Sequence, residues 1–307
     1  MNIAIWIAIA MVAFVMPATA LTKGGAHRPD AESLRRYAQS AGLPVTDAVS
    51  GPVVERIRRR QRGMRIGGLI AIVAGTVGAI IFGEQDSWGG ALIMVLAGVG
   101  TSLGGAWAIV AHRPSPDERR PLIARTRSAE LADYLTFGER FGYWAVPGAL
   151  VVAAAGGAIL LLQLPEPARE SQIPLGLLAT GLALLLWGVS LYSVRRVLGA
   201  PARSGSDLEL AWDDAERADG LRQLMSLAVV TSGIAIFLWG VLLLESLTTD
   251  GFYRQHTELS TALGLIALAF FMGLIALIAA GPIGAWLSGR RRGHEQRRLW
   301  PNGVSAA

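Results

Sequence analysis

An all-α, polytopic transmembrane helix bundle of about seven spans, with its N-terminus outside and its C-terminus cytoplasmic, is predicted by three features of this 307-residue sequence. Seven apolar runs reach the roughly 17–25 residues that a helix needs to cross the hydrocarbon layer. Basic residues crowd into alternate connecting segments, which hold 26 of the 28 Lys and Arg. With 52% hydrophobic residues, the chain is too apolar for an ordinary soluble domain.

The apolar runs lie near Ile3–Ala20, Ile66–Gly83, Trp88–Ala111, Trp144–Leu164, Pro174–Val194, Leu224–Leu244 and Thr261–Leu287. Runs this long can only be helical in lipid, which offers no partner to an open backbone amide. Gly281-Pro282 is expected to kink or stop the last one. Trp88, Trp107, Trp144 and Trp286 fall at run ends, as in an interfacial aromatic belt.

Orientation follows from the loops. Segments 21–65, 112–143, 195–223 and 288–307 carry ten, six, five and five basic residues, whereas 84–87, 165–173 and 245–260 carry only Arg169 and Arg254. Glu84, Asp86, Glu166, Glu170, Glu245, Asp250 and Glu258 occupy those poor loops. The basic segments are therefore expected in the cytoplasm of a bacterial cell, with the inner membrane as the location. Residues 1–20 end in Ala18-Thr19-Ala20, a small-x-small pattern that suits signal-peptide cleavage. Export of the ten charges that follow would invert every later span, so an uncleaved anchor with its N-terminus outside fits better.

Three regions result: 1–65, an anchor span with a basic cytoplasmic segment; 66–287, six spans in three hairpins with cytoplasmic linkers at 112–143 and 195–223; and 288–307, a basic tail. Asp30 is placed to cap a helix with Leu34, Tyr37, Ala38 and Ala41 on one face, ending at Gly42 before Pro44. A second helix is expected after Ser50, with Pro52 in its first turn. Amphipathic helices are expected from Glu130-Leu131-Ala132 and from Glu209-Leu210-Ala211. The latter has a Ser206-x-x-Glu209 capping box and an apolar stripe of Leu208, Ala211, Ala215 and Leu221. The two tripeptides could mark a duplicated hairpin, but coincidence explains a three-residue match in so Ala- and Leu-rich a chain.

The chemistry is marked more by exclusions than by motifs. No cysteine is present, which removes disulfides, thiolate nucleophiles and Cys-based metal sites. The seven runs contain no Asp, Glu, Lys, Arg or His, which argues against an ion-coupled carrier and a retinal protein. Their Thr76, Thr101, Ser102, Thr180, Ser190, Thr231 and Ser232 can each bond their own helix backbone. Gly100-Thr101-Ser102-Leu103-Gly104 matches the G-x-S-x-G nucleophile elbow, but it lies within a run, and His27, His112, His256 and His294 all lie outside the runs. Gly100 and Gly104 read better as helix-packing residues, as do Gly156 and Gly157. No catalytic residue, cofactor or metal site is predicted.

Two charged clusters remain. Arg56, Arg58, Arg59, Arg60, Arg62 and Arg65 sit beside the second run, where anionic lipid is the expected contact and an acidic protein partner the alternative. Glu209, Asp213 and Glu216 share a helix face that could dock a partner or the arginines of 56–65. Asp213 and Arg217 stand at i, i+4, as on a solvated helix. Nucleic acid is not expected despite the net charge of +5, because the basic residues flank membrane runs. The strings LRRYAQSAGLP (34–44) and ELAWDDAERADGLRQL (209–224) resemble those of multi-pass membrane proteins of actinobacteria. The resemblance implies a cell-membrane location and a role beside a transport system, with no catalytic residues to carry over. The expected function is a non-enzymatic membrane subunit or scaffold that packs with partner helices, or with copies of itself, and docks a cytoplasmic protein. The alternative is a permease for a hydrophobic or lipidic solute. An enzyme would need residues such as Asp213, Asp214, His256 and Glu258 to converge.

Overall fold

The computed structural model describes residues 35, 38–39, 41–82, 97, 99–105, 107–108, 123–124, 130–163, 166–199, 203–204, 206–249, 257–287 and 293–301. Ile3–Ala20 and Asp30 lie outside them. The helices are α1 (Asp47–Phe82), α2 (Leu131–Tyr134), α3 (Phe137–Leu162), α4 (Glu166–Leu198), α5 (Asp207–Thr249), α6 (Thr257–Leu287) and α7 (His294–Leu299). Residues 99–105 and 107–108 are also helical. Among the described residues the architecture is all-α apart from one two-residue antiparallel ladder, Ile123–Ala124 (β1) with Arg203–Ser204 (β2), too short to leave an alternation in the sequence.

Among the described residues, four stretches are long and apolar enough to cross a membrane: Phe137–Leu162, Gln172–Leu198, Asp207–Leu244 and Ala262–Ala285. The chain is a membrane protein on that ground. α1 runs without a break through residues 66–82 of the second predicted run, and the described residues of 97–108 are helical within the third.

The helices differ from expectation mostly at their ends. α1 starts at Asp47 rather than after Ser50, because the Ser50 amide already bonds the Thr46 carbonyl (3.0 Å), and Pro52 falls in the second turn. Glu130 does not open a long amphipathic helix. α2 ends after four residues at an extended Leu135, and Thr136 caps a new helix through a reciprocal box with Glu139. α5 joins the amphipathic part of the 195–223 linker to the sixth predicted run as one helix of 43 residues, about 64 Å long. Linker and span are therefore not separate there. α6 passes through Gly281–Pro282 to Leu287, so the proline does not end it.

The chain divides into two compact units. The first is drawn from Met1–Leu135, Ser193–Leu224 and Arg292–Ala307. Its small core joins Ala38, Ala41, Leu43 and Val53 to Leu208, Ala211, Trp212 and Ala215, so the predicted apolar stripe of α5 is covered by the chain itself. The turn that makes this possible is at Gly42. Its φ of +66° lets the Leu43 amide reach the Ala38 carbonyl (3.1 Å), the six-to-one bond of a Schellman cap. In the same unit α1 and residues 97–108 meet backbone to backbone. A Cβ on Gly63 or Gly67 would overlap the carbonyl of Gly104 or Gly100, and one on Gly100 or Gly104 would overlap the carbonyl of Gly67 or Gly63.

The second unit comprises Thr136–Tyr192 and Met225–Arg291. Its core is centred on the fully buried Trp239 of α5. The indole is closely approached by Gly157 of α3 and Gly176 of α4, where a Cβ would strike the ring. Its Nε1–H donates to Thr180 Oγ1 (3.0 Å), which in turn donates to the Gly176 carbonyl (2.9 Å). Gly156 is looser, in ordinary contact with Phe270. α3 and α6 approach at Gly138 and Gly281, and Gly142 sits on the Pro282 ring and the Ile278 carbonyl. That carbonyl is the one Pro282 deprives of its helical donor, so the glycine faces the defect in α6. Outward, Leu178, Leu185, Ile266 and Leu287 are among many exposed aliphatic residues, the surface expected of helices bathed in lipid.

Trp239→Ala should destabilise the protein by about 3–5 kcal/mol, and Gly142→Val by about 1–3 kcal/mol through overpacking. Thermal unfolding in mild detergent should show both losses, and Gly273→Ala, which faces open space, should show none.

Candidate functional site

The densest buried polar cluster of the described residues lies in the first unit, where α2, α5 and the C-terminal α7 meet. The α5 sequence places Asp214, Ala218 and Arg222 on one face at intervals of four. Asp214 is only 1% exposed, yet both carboxylate oxygens have donors: Tyr134 Oη bonds Oδ1 (3.1 Å) and Trp300 Nε1 bonds Oδ2 (3.0 Å). Two turns on, Arg222 Nη2 donates to Glu295 Oε2 (2.8 Å) and to the Tyr134 carbonyl (3.1 Å), with Asp219 3.6 Å from Nη1. Both Arg222 and Glu295 are buried. His294 Nε2 lies 3.2 Å from the Ala132 carbonyl, which requires the Nε2–H form of the ring, and Arg298 stands 3.9 Å from Asp133.

A buried carboxylate is strongly disfavoured unless donors replace its water, and here they do. The arrangement is mechanical in its chemistry: it fastens residues 293–300 to α2 and α5. Asp214 accepts from protein donors on both oxygens.

The predicted acidic face is partly engaged within the chain. Asp213 pairs with Arg217 (2.8 Å), as its spacing implied, and the Glu209 amide bonds the Ser206 hydroxyl (3.2 Å) at the predicted cap. Glu209, Asp213 and Glu216 are half-buried. Of the arginines, Arg60 turns to α5, with Nε on Gln223 Oε1 (3.1 Å) and Nη1 on Asp219 Oδ2 (3.4 Å). Gln223 in turn donates to the Ser102 carbonyl (3.3 Å). Arg58 and Arg59 both hold Glu55, at 3.0 and 3.1 Å. Arg62 is exposed and Arg65 half-buried; the side chain of Arg56 lies outside the described set. The Arg59 guanidinium bonded to Glu55, with Arg58 and Arg62 nearby, holds that carboxyl below the usual range. Whatever this pairing contributes is therefore in place above the ordinary carboxylate pKa and is lost only as pH falls through the depressed one.

The G-x-S-x-G string is helical throughout, Thr101 donates to the Ala97 carbonyl (2.7 Å), and its glycines are closed against α1. Asp213 and Asp214 are engaged as above and Glu258 is exposed, while His27, His112 and His256 lie outside the described residues. No group of metal-ligating side chains occurs among the described residues. Sequence reasoning missed Tyr134, Arg222, Gln223, Glu295 and Trp300. The one available signal was in the tail, where Glu295 and Trp300 are the single acid and the single aromatic of 288–307. No family model matches the chain, and neither a curated protein nor a solved structure is similar to it.

Removing one partner of a buried ion pair costs about 3–5 kcal/mol where nothing else faces the remaining charge, and less for Arg222, which keeps Asp219 at 3.6 Å. Glu295→Ala should therefore release the tail and speed tryptic cleavage at Arg297 and Arg298, with Trp300→Ala acting the same way more weakly. Glu258→Ala, at an exposed position, should leave the cleavage rate unchanged.

Proposed function

We propose that the protein is a non-enzymatic subunit or scaffold of a bacterial cytoplasmic membrane, of the actinobacterial kind its linker strings resemble. In this reading seven spans cross the bilayer, with the N-terminus outside and the C-terminus inside. A prefolded cytoplasmic platform is built from residues 38–65, 130–135, 206–223 and 293–301. The observation that carries the reading is the burial of Asp214, Arg222 and Glu295 in contacts that bind separate segments of this platform to one another. A chain that presents a rigid surface to a soluble partner gains from such fastening, because less order must be imposed when the partner binds.

Several hydroxyls that a permease would offer to a solute are already bonded within the protein, although Ser232 Oγ is buried without a hydrogen-bond partner among the described residues. Thr76, Thr180 and Thr231 donate to their own helices, and Tyr143 bonds Ser190 (3.5 Å). That weighs toward the scaffold. Partner helices have places to approach: Gly148, Gly181, Gly188 and Gly273 on α3, α4 and α6 open onto free space.

The tagged protein purified from its native membrane in mild detergent should carry a second protein at comparable abundance. Arg222→Ala should lose it while cysteine-accessibility mapping still reports the seven-span topology. Recovery of the wild-type chain alone, as a monomer, would overturn the subunit reading.

A further inference from the structure

The outward side of α1 changes character along a single stripe. Glu55, Arg59, Arg62, Ile66, Ile70 and Val73 recur every three or four residues and so line one face. Arg59 and Arg62 are exposed, and Ile66, Ile70 and Val73 are 54%, 64% and 50% exposed. Arg60 points the other way, to Asp219 and Gln223. From Arg62 to Val73 the helix rises about 16 Å, close to half of the ~30 Å hydrocarbon layer.

A second observation marks the same place. Gly63 and Gly67, next to the stripe, meet Ala108, Gly104 and Gly100, while Met64 and Gly68, further round, meet Gly105 and Thr101. For two antiparallel helices that order puts Trp107 on the stripe's side of the seam, level with Gly63. Trp107 is 72% exposed there. A bare indole at the step from arginine to isoleucine is what a lipid's ester region favours.

We propose that this face is a binding site for one anionic phospholipid, its phosphate on Arg59 and Arg62, its glycerol backbone against Trp107 and an acyl chain along Ile66, Ile70 and Val73. The inference rests on residues 66–82 lying in the bilayer, which topology mapping tests separately. Charge complementarity selects an anionic over a zwitterionic headgroup. Glu55 opposes it, since its carboxylate occupies Arg59.

The test is native mass spectrometry of the full chain in nonionic detergent, titrated with phosphatidylglycerol and, in parallel, phosphatidylcholine. Wild type should prefer phosphatidylglycerol, and R59Q/R62Q should lose about 25-fold in affinity, or about five-fold per arginine. Glu55→Gln frees Arg59 and should raise affinity by up to about five-fold, an opposite sign that a folding defect would not produce. Equal affinity of the wild type for both lipids would overturn the proposal. So would a preference that survives R59Q/R62Q, or an equal loss in R195Q/R196Q, arginines exposed elsewhere on α4.

Discussion

Close approach of backbone at glycine is the constraint on which the other contacts depend. Between helices in lipid the hydrophobic effect gives no net attraction, so association relies on van der Waals fit and on whatever polar contacts the fit allows. Gly63 and Gly67 against Gly100 and Gly104 bring two helices to backbone distance. Only then can Gln223 reach the Ser102 carbonyl with one end of its amide and Arg60 with the other. In the second unit the same logic is applied to a ring: Gly157 and Gly176 make room for Trp239, whose buried indole N–H finds Thr180. A glycine facing the Ile278 carbonyl likewise allows α6 to keep Pro282 without ending.

The ion pair between Arg222 and Glu295 works on a different principle. An apolar contact of the same size would hold the tail about as firmly, since desolvation offsets much of the attraction between buried charges. What the pair adds is register. Glu295 is the only acid in 288–307, so a slip of one residue would set Arg222 Nη2 against His294 or Gln296 in place of a carboxylate, with Asp219 still 3.6 Å from Nη1. Trp300 fixes the other end through Asp214. Two contacts five residues apart thus define one docked position for a segment that is otherwise basic and polar.

The apolar helices were legible because the physics behind them is one-dimensional: length and hydropathy decide them without reference to neighbours. The Schellman turn at Gly42 and the Ser206 cap were legible for the same reason, since each lies within a few residues of chain. The Thr136-x-x-Glu139 box was equally local and would have separated α2 from α3, but the amphipathic pattern after Glu130 drew the boundary elsewhere. The polar junction could not be read. It joins residues from three segments, and nothing in the run around Arg222 or Tyr134 distinguishes a buried charge from a solvated one. In sequence the tail reads as a uniform basic extension, because its charge count outweighs the two exceptions.

The arginines of 56–65 show how a count and a geometry answer different questions. The positive-inside rule weighs each guanidinium equally, because translocation depends on charge and not on helix face. Folding separates them by angle. Arg60 and Arg62 are two residues apart, which on an α-helix is about 200° of rotation, so one faces the protein and the other cannot. Arg60 meets Asp219 and Gln223, Arg58 and Arg59 share Glu55, and Arg62 is left outward above a row of branched aliphatic residues. A single cluster that looks redundant in sequence therefore holds α1 to α5 on one side and offers charge to the surroundings on the other. Moving one arginine by a residue would preserve the count and remove one of those two roles.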